Sequence, residues 1–222
     1  MNFELSEEQK MIQQSVERFV QENYDLPKRV ELSSQDPGYS KDYWNSMAEL
    51  GWLGLPFNEE DGGFGGNQID TLVIMEQFGK GLVLEPFLAN IVLGGGAIQM
   101  GGSEELKNEM LSSLIEGSKQ LALAYAEQQS RFDLEDVATS ARQEGDKYII
   151  NGQKSMVLNA ESADHIVVVA RTNGGQVDEE GITLFLVDSD SKGLERNNFP
   201  TVDGLRASEI TFENVEVNSD RM

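Results

Sequence analysis

The stretch YIINGQKSMVL, residues 148–158, lies where the chain has changed from helical to extended patterning. From about Lys119 onwards the hydrophobic period is two and β-branched residues predominate, which indicates strands. Asn151-Gly152 sits between two apolar stretches, and this dipeptide is the preferred two-residue turn of a β-hairpin. The stretch therefore predicts two strands joined by a turn at Asn151-Gly152.

Four other segments of this half also have the composition of strands. Residues 165–172 (HIVVVART) and 181–188 (GITLFLVD) are rich in β-branched and apolar residues, and a polar loop, residues 173–180, separates them. Residues 209–217 (EITFENVEV) and the apolar run at 121–126 (LALAYA) complete the set. We expect strands with buried faces at each of these places.

The first half of the chain is patterned for helices. Ser6 followed by Gln9 fits a capping box, and Ser40 is suited to cap a helix over residues 41–50. Further helices are predicted from near Asn67, after Pro86 through the glycines at 94–96, and from Ser103.

Helices followed by strands, without alternation, favour two packed units over a doubly wound sheet. The fold class predicted is α+β. It comprises an all-helical N-terminal domain, residues 1–118, followed by a middle domain, residues 119–222, with an antiparallel barrel-like or sandwich-like sheet.

The composition excludes several classes of function. A net charge of −22, from 39 acidic and 17 basic residues, repels phosphate backbones and argues against nucleic-acid binding. The chain has no cysteine and only His165 as a histidine, which excludes thiol catalysis and a histidine zinc cluster; we expect no metal site. No signal peptide or membrane-spanning run is evident, so the expected location is the cytoplasm.

The glycine-rich motifs do not match a nucleotide-binding fingerprint. Residues 62–66 (GGFGG) would need a glycine at position 68, where Gln68 stands, and they follow a loop instead of a strand. Gly79-Lys80 lacks the upstream glycine of a phosphate loop. With no hydrolase triad available, a bound cofactor is the better source of chemistry.

Four segments in order along the chain resemble the acyl-CoA dehydrogenase family. They are residues 49–66 (ELGWLGLPFNEEDGGFGG), 151–154 (NGQK), 159–164 (NAESAD) and 204–217 (GLRASEITFENVEV). The family has an N-terminal helical domain, a middle β domain and a C-terminal four-helix domain. The resemblance covers the first two, and the third is expected to be absent from this chain.

The resemblance implies an FAD site at the end of the first predicted strand and on the NGQK strand. The residues that it assigns to the cofactor are Tyr125, Ala126, Arg131, Phe132, Met156, Val157 and Leu158. Arg131 and Phe132 are also assigned to the substrate. The spacing of Met156 and Leu158 would place both side chains on one face of a strand, which suits a flat ring.

This sequence departs from the family pattern at several of these positions. Ala126 and Leu158 stand where the family has threonine, and Met156 stands where it has tryptophan. Arg131 is suited to a pyrophosphate, with a salt bridge to a nearby carboxylate as the alternative. Met156 is either a neighbour of the flavin or an ordinary core methionine. Glu127 matches a family position, but a structural hydrogen-bond acceptor is the favoured interpretation.

The activity implied is α,β-desaturation of an acyl-CoA thioester, with hydride transfer to the flavin. The family's catalytic base is expected outside residues 1–222, so no catalytic residue is assigned and this chain alone is expected to be inactive. The implied partners are acyl-CoA, an electron-transfer flavoprotein or similar acceptor, and further subunits of a homo- or hetero-oligomer. A non-catalytic or flavin-poor subunit of a hetero-oligomer and a related flavin monooxygenase stay open as alternatives.

Overall fold

A computed structural model describes residues 4–222, and the first elements of this part of the chain are helices. The helices are α1 (Glu7–Asn23), α2 (Leu26–Ser33), α3 (Lys41–Glu49), α4 (Gln68–Gly81), a π-helix (Leu88–Gly95), α5 (Gly96–Gly101) and α6 (Glu104–Ile115). The caps predicted for the first two of the expected helices are confirmed. Ser6 and Gln9 form a reciprocal capping box, and the Ser40 side chain accepts from the amide of Tyr43.

Helix α2 was not predicted from the sequence. The Asp25 side chain caps it by accepting from the amide of Lys28 at 2.7 Å, and Pro27 occupies its first turn, where a missing N–H costs nothing. Its eight residues are too few to give a clear hydrophobic period. Without a hydrophobic period, the Asp25 cap and Pro27 were not sufficient to predict a helix here.

Seven strands follow the helices. They are β1 (Leu121–Ala124), β2 (Ser140–Glu144), β3 (Lys147–Leu158), β4 (His165–Arg171), β5 (Ile182–Asp188), β6 (Leu194–Pro200) and β7 (Arg206–Asn218). The strands predicted at 121–126, 165–172, 181–188 and 209–217 are confirmed. Strands β2 and β6 were missed because they are mostly polar and exposed.

The seven strands form one curled sheet of mixed direction, in the order β1-β4-β2-β3-β7-β6, with β5 paired to β4. The predicted α+β class is confirmed, and most neighbouring strands are antiparallel as expected, but the sheet is mixed because β1 and β2 each pair with β4 in parallel. Strand β1 runs parallel to β4, from Leu121 beside His165 to Ala124 beside Val168. This parallel pairing is available because the 40 residues between the two strands include the β2–β3 hairpin, which makes a long crossover.

The chain forms two compact units. One comprises residues 4–85 with 115–117, and the other comprises 86–114 with 118–222. The π-helix, α5 and most of α6 therefore pack in the same unit as the sheet. The domain boundary predicted at residues 118 and 119 stays a prediction.

The first unit is held by an aromatic core. Phe19 makes edge-to-face contacts with Tyr43 and Trp52, and Trp52 packs in the same way against Phe78. A buried Glu85 accepts hydrogen bonds from the Tyr24 hydroxyl and from the amide of Ser40. None of the helices between residues 4 and 222 combines the length and apolar character needed to cross a bilayer.

The sheet unit has a continuous apolar core beneath β1, β3, β4, β5 and β7. Its fully buried members include Ile150, Val168, Phe185, Phe212 and Val215. These residues come from strands far apart in sequence, so the core forms only when the sheet is assembled. This core therefore holds the assembled strands together.

The turn predicted at Asn151-Gly152 is wrong, because both residues lie inside β3. The hairpin turn is at Gly145-Asp146, between paired Glu144 and Lys147. Asn151-Gly152 instead lies at a bulge where β7 has one extra residue, Asn214, with a left-handed φ of 52°. The Asn151 side chain accepts from the amide of Asn214 at 2.8 Å. A glycine is needed because the backbone of Thr139 approaches closely there.

We expect Gly152→Ala to lower the free energy of unfolding by about 3 kcal/mol. A Cβ at this position would lie 2.6 Å from Thr139 Cα, at a φ of +150°. The matched control is Gly145→Ala, where φ is +66° and no atom lies within 4 Å of the added Cβ, so only about 1 kcal/mol is lost. Urea unfolding of both variants measures the difference, and equal losses would contradict the close approach.

Candidate functional site

The candidate site is built where the chain leaves β1 and passes beside β3. Residues 127–139, which we call the lip loop, connect β1 to β2 and contain a turn at 128–132. The amide of Ser155 in β3 donates to the carbonyl of Ala126 at 2.9 Å. The two predicted cofactor segments, around residue 126 and around residue 156, are therefore neighbours in space.

A bulge in β3 determines which side chains face outward at this point. Lys154 pairs with Ile210 and Val157 pairs with Ser208, so three steps along β3 match two along β7. The extra residue allows Lys154 and Val157 both to be buried, which a regular strand would not permit. Met156 within the bulge adopts a left-handed φ of 53° and is half exposed.

A buried ion pair joins the lip loop to β3. Lys154 Nζ lies 2.6 Å from Glu127 Oε1 and donates to the Tyr125 carbonyl at 3.2 Å. The two side chains are 0% and 3% exposed. Removing one partner of such a pair leaves an uncompensated buried charge and costs about 3–5 kcal/mol.

The Glu127 carboxylate joins the two ends of the lip loop, residues 127 and 138–139, which we call its neck. Its oxygens accept from the amides of Ala138 and Thr139, at 2.9 and 3.0 Å, and from the Gln129 side chain at 2.8 Å. Residue 127 at one end of the loop is thus hydrogen-bonded to the other end. The interpretation of Glu127 as a hydrogen-bond acceptor matches these contacts.

The charge states of the pair follow from its surroundings. Burial of Glu127 acts to raise its pKa, but the hydrogen bonds from Lys154 and Gln129 outweigh burial and lower the pKa to about 2. Burial lowers the pKa of Lys154 below its ordinary value, against the opposing effect of Glu127. The carboxylate is therefore held ionised far below neutral pH.

The predicted ring-binding residues border an open surface. Tyr125 and Met156, on either side of the Ala126–Ser155 hydrogen bond, are 44% and 50% exposed, and Ala126 is partly buried. Met156 is therefore not an ordinary core methionine. The surface between the two segments has side chains that a planar ligand could cover.

Arg131 and Phe132 lie at the tip of the lip loop. Both are exposed, Phe132 almost completely, and Arg131 has a left-handed φ of 52°. Within residues 4–222 the Arg131 side chain forms no ion pair, so the salt-bridge alternative is not realised there. An unpaired cation in an uncommon backbone conformation is typical of a ligand-binding position.

Val157 and Leu158 are placed differently from Met156. Val157 is buried in the sheet core, so its side chain does not line the open surface, and Leu158 is partly buried. The spacing argument assumed an unbroken strand between Met156 and Leu158, and that assumption is wrong because of the bulge. The assignment of residues 156–158 to a cofactor stays a prediction.

The sequence reasoning missed two buried cations, Lys154 and Arg171. Lys154 is part of the NGQK motif, but its pattern gave no sign that the ammonium is fully buried. Arg171 ends β4 and is 8% exposed. The available signal was a cation at the end of an otherwise apolar strand. Among residues 4–222, no group of three or more acidic, histidine or cysteine side chains is arranged to hold a metal.

Comparison with known families gives two matches that together cover most of the chain. Residues 6–118 match the N-terminal domain of acyl-CoA dehydrogenases, and residues 122–215 match the middle domain. The order of the two matches is the order of the helical and strand regions.

Individual relatives agree with these matches. The chain is 32% identical to a probable acyl-CoA dehydrogenase, YngJ of Bacillus subtilis, over 98% of this chain and 58% of the relative. It is 30% identical to the short-chain specific acyl-CoA dehydrogenase of Clostridium acetobutylicum, over 100% of this chain and 59% of that protein. The chain therefore spans less than two thirds of the length of these relatives.

A solved structure shows the same architecture. The FAD complex of PigA aligns with 100% of this chain and 59% of its own, at 27% identity and a TM-score of 0.88. The fold of this chain is thus similar to that of a protein whose solved structure contains FAD.

We expect the ionisation of Glu127 to make the free energy of unfolding decrease at low pH. Its folded-state pKa of about 2 lies below the ordinary 4.5, so its contribution is present above about pH 4.5 and is lost as the pH falls to about 2. The shift corresponds to a free energy of unfolding on the order of 3 kcal/mol. Urea unfolding between pH 2 and pH 7 should give a shallower pH dependence for Glu127→Gln than for the wild type.

The control for this experiment is Glu216→Gln. Glu216 forms an exposed pair with Lys147 at 2.9 Å, and water screens that pair. Its variant should keep a pH dependence close to that of the wild type. The same slope in wild type and Glu127→Gln would contradict the assigned role of the buried pair.

Proposed function

The chain belongs to the acyl-CoA dehydrogenase family, and from this premise we propose that it is the N-terminal and middle portion of a flavin-dependent acyl-CoA dehydrogenase. In this proposal residues 1–118 form the helical domain and residues 119–222 form the middle domain. The full reaction is α,β-desaturation of an acyl-CoA thioester. In the whole protein a base would remove the α-proton, and bound FAD would supply the acceptor for the β-hydride.

One observation carries the proposal beyond family membership. The end of β1 and the bulge of β3 are hydrogen-bonded neighbours, and the side chains that border them, Tyr125 and Met156, are exposed. A flat ring needs two adjacent segments with an uncovered surface. The alternative, a surface filled by packed side chains, does not fit these exposures.

The residues at this surface are compatible with FAD. Tyr125, Ala126 and Met156 would lie against the ring, and Arg131 and Phe132 would lie over its phosphate side or the thioester of the substrate. Two hydroxyls of the family pattern are missing at Ala126 and Leu158, each worth about 0.5–1.5 kcal/mol as a hydrogen bond. When bound, FAD accepts the hydride, and the protein holds and orients the reactants.

No residue of this chain is proposed as the catalytic base. Glu127 is committed to Lys154 and to two backbone amides, and its pKa of about 2 makes it a poor proton acceptor near neutral pH. The base is therefore proposed to come from polypeptide outside these residues. The electron acceptor proposed is an electron-transfer flavoprotein or a similar protein, and the native assembly proposed is an oligomer.

A second candidate is a flavin-poor subunit of a hetero-oligomer. The sequence favours it at Ala126 and Leu158, where hydroxyl donors are absent. The two candidates differ in whether this chain retains flavin, so they are separated by the same experiment that tests the proposal.

We expect the purified protein to carry FAD with its visible absorption, released as intact FAD on denaturation. Addition of an acyl-CoA to the assembly that supplies the base should bleach this absorption without oxygen and form the 2-enoyl-CoA. A chain that contains no FAD and binds none on titration would contradict the first candidate and support the second. If acyl-CoA does not bleach the flavin without oxygen, and flavin reduced by another electron donor then consumes oxygen, monooxygenase chemistry is indicated instead.

We expect Arg131→Ala to weaken FAD binding by about tenfold, because it removes a charge-assisted hydrogen bond of about 1.5 kcal/mol or more to a phosphate. Arg142→Ala is the control, since Arg142 is an exposed arginine that pairs with Glu144. Fluorescence titration of FAD into both apo-proteins measures the effect. Equal affinities would show that Arg131 does not contact the cofactor.

A further inference from the structure

The lip loop is held by two buried cations that the reaction itself does not use. Lys154 projects from β3 to the neck of the loop, and Arg171 projects from the end of β4 to its second half. The side chain of Lys154 is fully buried and Arg171 is 8% exposed. Burying two charges is costly, so the contacts that they make indicate what they are for.

Arg171 is bound by backbone carbonyl groups. Its guanidinium donates, over distances of 2.8–3.5 Å, to the carbonyl oxygens of Glu135, Val137, Asn173, Gln176, Asp178 and Glu180. Within residues 4–222 it forms no ion pair with a carboxylate. A guanidinium has five N–H donors in a fixed fork, so it can hold several chain segments at set positions.

These carbonyls belong to two loops that have no regular structure of their own. Glu135 and Val137 are in the lip loop, and the other four residues are in the loop between β4 and β5, residues 172–181. The amide of Val137 also donates to the Gln176 carbonyl at 2.9 Å. Arg171 therefore joins the lip loop to its neighbour.

Lys154 acts on the same loop through Glu127. That carboxylate binds the amides of Ala138 and Thr139, and the ammonium binds both the carboxylate and the Tyr125 carbonyl. The neck is closed, and Arg171 holds the second half of the loop. The tip, residues 131–135, is exposed throughout, and Gln128, Gln129 and Ala138 are also exposed.

We propose that Lys154 and Arg171 are positioning residues that order the lip loop before the ligand arrives, so that its tip meets the bound flavin nucleotide or thioester without first folding. The inference rests on the proposed function. Ordering a loop of this length on binding would cost conformational entropy and reduce affinity. An already ordered neck removes most of that cost.

The test combines amide hydrogen exchange with FAD titration on the protein in its native assembly. The first variant, Arg171→Lys, keeps the positive charge but removes the planar set of N–H donors. The second variant, Glu127→Gln, keeps the size of the side chain but removes the ion pair with Lys154. The controls are Arg142→Lys and Lys147→Met, which alter exposed cations on β2 and β3. Exchange in β5, residues 182–188, reports whether the sheet remains folded.

Without ligand, we expect exchange at residues 135–139 in both variants to approach that of an unstructured peptide, whereas exchange in β5 rises only by the loss of global stability and both controls are unchanged. The apparent affinity for FAD should fall by the factor by which the ordered fraction of the loop falls, and saturating FAD should restore protection. A purely structural role would raise exchange in β5 by the same factor as at residues 135–139, and FAD would not restore protection to the loop.

Two results would overturn the inference. One is wild-type exchange at residues 135–139 in both variants, and the other is a loosened loop with unchanged FAD affinity. A wild-type protein that binds no FAD would overturn the proposed function instead. In that case, exchange at residues 135–139 without ligand still shows whether Lys154 and Arg171 order the loop.

Discussion

The structure around the candidate site depends on the buried pair of Lys154 and Glu127. A charge that leaves water must find its partners in the protein, and this pair does so by binding the end of β1, the neck of the lip loop and β3 together. To bring the ammonium inside, β3 departs from regular alternation. The bulge that results turns Met156 outward beside Tyr125. The open surface and the closed neck thus have one physical origin.

The distribution of cations gives the site its chemical character. The protein carries a net charge of −22, so an anionic ligand depends on local positive charge and on backbone amides. Lys154 and Arg171 are both occupied by internal oxygens, and the lip loop presents Arg131 to solvent without an ion pair within the described chain. Buried cations therefore hold the loop, and the exposed Arg131 is the one that we propose for the ligand. This division of roles is consistent with an acyl-CoA dehydrogenase scaffold in which several residues of the proposed cofactor site depart from the family pattern.

Much of the fold could be predicted because its signals are local. Helix caps at Ser6 and Ser40 involve residues three apart, and the strands at 165–172 and 181–188 have enough apolar residues to be recognised alone. The candidate site could be located only through the resemblance of short segments to a family. The geometry predicted for the site was partly wrong, because the argument from the spacing of Met156 and Leu158 assumed an unbroken strand. Val157, assigned with them, has its side chain in the core.

Local patterns were enough to predict a helical region followed by strands, the family, and the segments that border the site. That Asn151-Gly152 lies at a bulge depends instead on contacts between distant segments, because β7 pairs across it from about 60 residues away and the backbone of Thr139 packs against the glycine. The same holds for the burial of Lys154, whose partners are in the distant segment 125–127, and for that of Arg171, which binds the distant lip loop as well as the loop that follows it. Local patterns fix local hydrogen bonds, whereas the cost of burying a charge is settled by contacts that exist only after the chain has folded.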